Sequence, residues 1–308
     1  MAEYQTKLKI AETVIMMQSV FPMEKLTEKE KKQRGIERFD SFFHPRDEKG
    51  DILIRVEMVN ELPQFSKARP LYITYHHLNK SENWRLCKID NGYIYKCPLK
   101  GQNHLMAVNE KFDSVTAYIL PKEDKGWVWN VFEIIGEFLQ VLLIHYLALR
   151  KEGIIMHAAG IKESEGRGLI FAGKSRCGKT TMAKLWDQYS DVKILNDDRI
   201  IVRQVDGRFI MYSPPWYGDF NDYFVSPLKS APLEKLFFIN QSSKNISRKI
   251  SDNEKFPIIY PTVFSTFWSK EYLENIVTFC ENLVKKVPCY RLGFVNDESV
   301  IEFVRKLE

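Results

Sequence analysis

The sequence predicts a mixed α/β protein in two parts: a β-rich amino-terminal domain over residues 1–125, and an α/β domain over residues 126–308 that opens with a long linking helix. Three observations carry this. Short β-like runs broken by turn residues fill the first part, and a long apolar stretch from Trp127 to Arg150 follows them. Beyond Gly153, apolar runs of strand length alternate with helical periodicity. A chain of 308 residues accommodates one large or two ordinary domains, at about 100–200 residues each. No internal repeat and no low-complexity tract interrupts it.

In the first part the strand candidates are Leu8 to Val20, Ile52 to Val59, Leu71 to His76, Tyr93 to Tyr95 and Val115 to Leu120. The helix to Arg150 comes next. IIMHAAGI and GLIFAG then read as two strands joined by the polar turn KESEGR. A helix, a strand ending at Asn196-Asp197-Asp198, a strand from Ile200 to Gln204, the Pro-rich loop SPPWYGDF and a strand from Leu236 to Ile239 follow. A helix (Tyr272 to Val284), a strand (Tyr290 to Phe294) and a helix (Ser299 to Leu307) close the chain.

Composition removes several classes. With 44% hydrophobic and 28% charged residues the chain can bury a full core, which excludes disorder, collagen and a small stapled scaffold. The net charge of +5 is diffuse, and the densest run, Glu24 to Arg38, mixes both signs; a solvated face is expected there, and no nucleic-acid partner. Five cysteines without a C-x-x-C pair indicate neither a disulfide framework nor a zinc ribbon, so a cytoplasmic protein is expected. The apolar stretch Val14 to Met17 is too short for an export signal. Trp129 to Leu149 is long enough to span a membrane, yet it contains His145, and Glu133, Glu137 and Gln140 form one polar stripe. That pattern predicts a mostly buried helix and no membrane span.

The chemistry concentrates in Gly173-Lys174-Ser175-Arg176-Cys177-Gly178-Lys179-Thr180, which fits G-x-x-x-x-G-K-[ST], followed by Thr181. Glycines let the backbone wrap so that successive N–H groups face phosphate oxygens. The lysine adds a point charge, and the hydroxyl ligates Mg²⁺. The context agrees: Leu169 to Ala172 is an apolar strand directly before the loop, while Met182, Leu185, Trp186 and Tyr189 fall at i, i+3, i+4 and i+7 directly after it. Nucleotide binding is therefore expected at residues 173–181.

Asp197-Asp198 ends the strand Val192 to Leu195. In a right-handed strand–helix–strand unit, the carboxyl end of the second strand returns beside the phosphate loop, where a carboxylate can hold Mg²⁺ or accept a proton. Neighbouring strand side chains point opposite ways, so the two aspartates should not share a role; a plain surface turn is the competing reading. His157 lies inside the strand before the loop strand. It is either a core histidine or, if the hairpin brings it to the phosphate end of the sheet, an acid–base group.

MHAAGI, FAGKSRCGKTTMAKL and ILNDDRIIV, in that order, resemble the carboxyl-terminal catalytic domain of the HPr kinase/phosphorylases and, more distantly, the P-loop nucleotide core of phosphoenolpyruvate carboxykinases. HPr-kinase-like proteins found near peptide-modification genes are similar too, with a β-rich amino-terminal domain and a Pro-Trp segment like Pro215-Trp216. The likeness covers roughly residues 150–220, and PCYRLGF looks like the family's final strand. It implies a phosphate-binding Lys179, a magnesium ligand at Thr180, a proton-accepting Asp197, a metal-supporting Asp198 and a His157 beside the transferring phosphate. It also implies ATP and Mg²⁺ as cofactors and a homo-oligomeric habit.

This chain departs from the pattern in three places. Arg176 stands where many relatives have glycine, and Tyr217 where close relatives have histidine. The glycine-containing segment that true HPr kinases use to handle HPr is not recognisable, which argues against HPr as the substrate. Cys177 sits at a helix amino terminus, where a thiolate is favoured, and reads either as redox-sensitive or as a passive loop residue. Arg199 and Arg291 read as second phosphate contacts or as ordinary strand-face arginines. The expectation is a kinase transferring the γ-phosphate of ATP to a hydroxyl of a peptide, protein or small molecule. The alternative is a nucleotide-binding regulatory or scaffold protein.

Overall fold

The computed structural model of the chain describes residues 4–19, 37–45, 47–75, 82–99, 102–121, 131–216, 218, 230–265 and 268–307. The charged run from Glu24 and the beginning of the linking helix at Trp127 lie mostly outside them. The chain folds as two compact units, residues 1–146 and 147–308, each mixed in architecture and built on a large sheet.

In the first unit, β1 (Tyr4–Ile10) and β2 (Thr13–Ser19) form an antiparallel hairpin. The sequence reads this stretch as one run from Leu8. It is two strands because Ala11 and Glu12 take φ of 48° and 63°, the paired positive angles of a tight hairpin turn, without the glycine that usually announces one. β3 (Ile52–Met58) lies parallel to β2 and to β8 (Ser114–Ile119). An antiparallel meander then runs outward through β7 (Gln102–Asn109), β6 (Gly92–Leu99) and β5 (Glu82–Ile89) to β4 (Arg69–Tyr75). Burial alternates as a one-sided sheet requires: Ile52, Ile54 and Val56 on β3 and Val115, Ala117 and Ile119 on β8 are buried.

The linking helix α1 (Val131–Arg150) belongs to this unit as far as Tyr146. That differs from the boundary at residue 126, and aromatic packing explains it. Phe132 stacks on Phe39 with ring centroids 5.0 Å apart, Phe138 lies 5.1 Å from Tyr95, and His145 stacks on Phe112 at 4.4 Å. Ile135, Leu139, Leu142 and Leu143 are buried with them. No helix among the described residues is long and apolar enough to cross a membrane.

His145 is fully buried and its Nδ1 donates to the Val141 carbonyl at 2.7 Å. Burial outweighs that bond and pushes the ring down to about 4, from an ordinary value of 6.5. With the folded value depressed, the neutral ring's contribution is intact above the unfolded pKa and is lost as pH falls from about 6.5 toward 4, at up to about 1.4 kcal/mol per pH unit. Urea unfolding over that range should show falling stability, and His145→Phe, which keeps the aromatic stack, should flatten the slope.

The second unit turns on the long strand β9 (Gly153–Glu163). Its second half pairs antiparallel with the loop strand β10 (Gly168–Ala172), Ala158 opposite Ala172. It also pairs antiparallel with β11 (Val192–Asn196), and its first half with β12 (Arg199–Val205). β11 and β12 follow one another along β9, Asn196 opposite Gly160 and Arg199 opposite His157, with the two aspartates between them. β11 is therefore parallel to β10, one strand removed from it. β13 (Arg208–Tyr212) continues from β12 to β14 (Ser230–Gln241), which runs parallel to both β10 and β16 (Cys289–Phe294); β15 (Ile246–Lys249) lies at the edge.

The helix after the loop, α2 (Lys179–Tyr189), lays Met182, Ala183, Leu185 and Trp186 on a core of Phe171, Phe237, Tyr290 and Phe294. Tyr189, read from its spacing as the next residue of that stripe, is 47% exposed. It is the last residue of the helix, and the buried face ends one turn earlier, at Trp186. Among the described residues, three further α-helices belong to this unit: α3 (Asp252–Ile259), α4 (Lys270–Lys286) and α5 (Ser299–Arg305).

Candidate functional site

Residues 173–178 connect the carboxyl end of β10 to the amino terminus of α2. Gly178 takes φ +105°, and a Cβ there would sit 2.7 Å from the Phe294 ring; one on Gly173 would sit 2.6 Å from Cys177 Sγ. Gly178 is thus required by backbone angle and by the buried Phe294 ring, while a side chain at Gly173 would have to displace Cys177 Sγ. The Cys177 N–H donates to the Lys174 carbonyl at 3.2 Å and the Met182 N–H to Gly178 at 2.8 Å, so the loop closes directly into the helix. Lys174, Ser175 and Arg176 are exposed, while Gly173, Cys177, Thr180 and Thr181 are half-buried. Burial pushes the Cys177 thiol up, outweighing Lys179 nearby, so the thiolate expected at this helix terminus is not favoured.

Arg176 takes φ +67°. A side chain at a left-handed angle costs about 1–2 kcal/mol relative to glycine, partly offset by the chain entropy a glycine loses on folding. Arg176→Gly should therefore leave unfolding stability unchanged or raise it by up to about 1 kcal/mol, as chemical denaturation would measure.

Lys179 is buried at the first position of α2, its Nζ donating to the carbonyls of Gly173 and Lys174 at 3.4 and 3.2 Å. One residue on, Thr180 Oγ1 donates to Asp197 Oδ2 at 3.0 Å. Asp197 is 2% exposed, and its Oδ1 accepts from the Gly218 N–H at 3.0 Å. Asp198 faces elsewhere: His157 Nε2 lies 3.0 Å from its Oδ1, and Arg199 donates to its Oδ2 at 2.6 Å. The two aspartates thus have separate partners, as the strand argument requires. Burial raises the Asp198 carboxyl, but the His157 hydrogen bond and the charges of Arg199, His157 and Lys179 outweigh it and hold the group below the usual range.

His157 reaches this cluster through register. It lies one residue beyond Ala158, the partner of Ala172 at the end of the loop strand, and opposite Arg199. The Ala158 N–H donates to the Asp198 carbonyl at 3.0 Å, holding the two strands together at the aspartates. Arg199 is an ion-pair partner of Asp198. Arg291 is an exposed residue of β16 opposite Phe238 and Arg248.

Two contributors escape sequence reasoning. Asn196 Oδ1 accepts from the N–H groups of Asp198 and Arg199 at 2.9 and 2.8 Å, an Asx turn that shapes the aspartate pair, while its amide donates to the Trp216 carbonyl at 2.6 Å. Gly218 presses so closely on the pair that a Cβ would come within 2.9 Å of Asp198 Cβ and 3.0 Å of Asp197 Oδ2. The asparagine directly before the aspartates signals the turn; nothing local signals Gly218. Tyr217, read as a departure from the family pattern, lies outside the described residues.

Among the described residues, no three His, Cys, Asp or Glu side chains come together as metal ligands. No protein family and no curated protein matches the chain in sequence. Among solved structures, the HPr(Ser) kinase/phosphatase from Coxiella burnetii is similar, with a TM-score of 0.30 and 11% identity over 49% of this chain and 93% of that one. The likeness is distant, and nothing about the site rests on it.

Proposed function

We propose that the chain is an ATP- and Mg²⁺-dependent phosphotransferase that moves the γ-phosphate to a hydroxyl of a peptide, protein or small molecule, on a core like that of the HPr kinases and phosphoenolpyruvate carboxykinases. The contact of Thr180 Oγ1 with Asp197 at 3.0 Å supports this best, because it joins the hydroxyl of a glycine-cradled loop to a carboxylate pair. The donors suit the groups invoked. The loop enters the amino terminus of α2, a setting that suits phosphates, and the Thr180 hydroxyl and aspartates offer the hard oxygen atoms that Mg²⁺ takes, usually with one or two carboxylates and the substrate phosphates.

The loop N–H groups and the Lys179 ammonium bind and orient the phosphates, and the end of α2 adds its positive dipole. Thr180 and one carboxylate of the pair would hold Mg²⁺, which when bound would supply positive charge against the negative charge that develops on the phosphates. The other carboxylate accepts the acceptor's hydroxyl proton. That oxygen bonds to the γ-phosphorus as the bond from the γ-phosphorus to the β–γ bridging oxygen breaks, releasing ADP.

The test is transfer of labelled γ-phosphate from ATP into a host-cell extract, wild type against the Asp197→Asn/Asp198→Asn double variant, with ATP binding measured on both. Label carried into protein, peptide or metabolite fractions by wild type alone is the expected result. Tight ATP binding without transfer would favour the regulatory reading, and no ATP binding would overturn both.

A further inference from the structure

The geometry points to a division of labour between the aspartates opposite to the one the family resemblance implies: Asp197 is the metal-side carboxylate, acting with Thr180, and Asp198 is the carboxylate that meets the acceptor hydroxyl. This assignment rests on the phosphotransferase reading.

Asp197 is turned into the fold. One oxygen takes the Thr180 hydroxyl, the loop's own metal-ligating group, and the other takes the Gly218 N–H, with the side chain almost wholly buried. Gly218 covers this carboxylate on one side: a Cβ there would stand 3.0 and 3.3 Å from its two oxygens. A carboxylate in this position can share a small cation with the neighbouring hydroxyl, but it has no open face toward a second substrate.

Asp198 also has its Cβ against Gly218, but its carboxylate differs in partners and in exposure. Its side chain is 24% exposed, so a hydroxyl can approach it from outside. His157 and Arg199 each take one oxygen, which fixes the plane of the carboxylate while each oxygen keeps a second acceptor position. The two holders are themselves backed by one ring: the Arg199 guanidinium lies 5.7 Å and the His157 ring 6.2 Å from the centroid of Phe264, whose N–H donates to the Ile155 carbonyl at 2.9 Å. A carboxylate held in one plane at a partly open position is suited to orienting an incoming hydroxyl.

The test is calorimetric ATP binding in Mg²⁺ and in EDTA, on the full chain and on Asp197→Asn and Asp198→Asn, beside label transfer from ATP into a host-cell extract. Wild type should bind ATP at least about tenfold more tightly with Mg²⁺. Asp197→Asn should lose that gain; Asp198→Asn should keep it within about twofold while losing transfer. Loss of the Mg²⁺ gain in Asp198→Asn would overturn the assignment while leaving the phosphotransferase reading standing, and that arm decides the matter even if Asp197→Asn fails to fold. Wild type that binds no ATP would overturn both.

Discussion

ATP affinity of the Lys179→Ala variant is expected to fall about a hundredfold or more, with little change in unfolding stability. The Lys179 ammonium is buried against the loop, with two loop carbonyls as partners, so it can move to phosphate oxygens without leaving the cradle. Charge-assisted hydrogen bonds contribute about 1.5–3 kcal/mol each, and losing one or two of them corresponds to that affinity change. Truncation frees the Gly173 and Lys174 carbonyls to water at the rim of the loop, where exposed neighbours lie, so the stability cost is small. Calorimetry with ATP and thermal unfolding of the same samples would separate the two effects. An unchanged affinity would remove Lys179 from nucleotide binding.

The largest loss of stability is expected at Trp186. Its side chain is fully buried on α2, with its ring centroid 6.0 Å from that of Phe171 and the Arg305 guanidinium 5.3 Å from its ring. Removing a buried indole leaves a cavity beneath the helix that carries Lys179 and Thr180. Trp186→Ala should cost about 3–5 kcal/mol, lowering the unfolding midpoint of this unit by roughly 10 °C. The indole N–H has no hydrogen-bond partner among the described residues, so Trp186→Phe sacrifices no polar contact and should cost well under half as much. A midpoint shift of a degree or two in the alanine variant would show that this face is not what holds α2 on the sheet.

What the sequence made legible follows from the range of each signal. The glycine-containing loop announces itself because its glycines, its lysine and the flanking strand and helix are contiguous, and β9 to α2 are readable for the same reason. The aspartate pair needs one topological rule beyond that, and the order of strands β11, β9 and β10 satisfies it with a strand interposed. β5 and β7 escape because ENWRLCKI and QNHLMAVN are not strongly β-branched or alternating, and their pairing in the sheet overrides local propensity. α3 is hidden by Pro257 within it. The contact of Gly218 with Asp197 joins segments far apart along the chain, and the hydrogen bond of His157 to Asp198 is fixed by sheet register, which local periodicity does not report.

The position of β9 has a consequence for how the second unit comes apart. Its amides and carbonyls are shared among β10, β11 and β12, so it cannot leave the sheet without releasing all three. The loop, the aspartates and His157 are attached to those same four strands. Local opening that spares the rest has no route through them, and the slowest-exchanging amides of this unit should lie between Ile154 and Ile161, with protection equal to the free energy of global unfolding. The groups of the candidate site would then be lost together in one cooperative step, so a partly unfolded species that keeps half the site should not accumulate in solution.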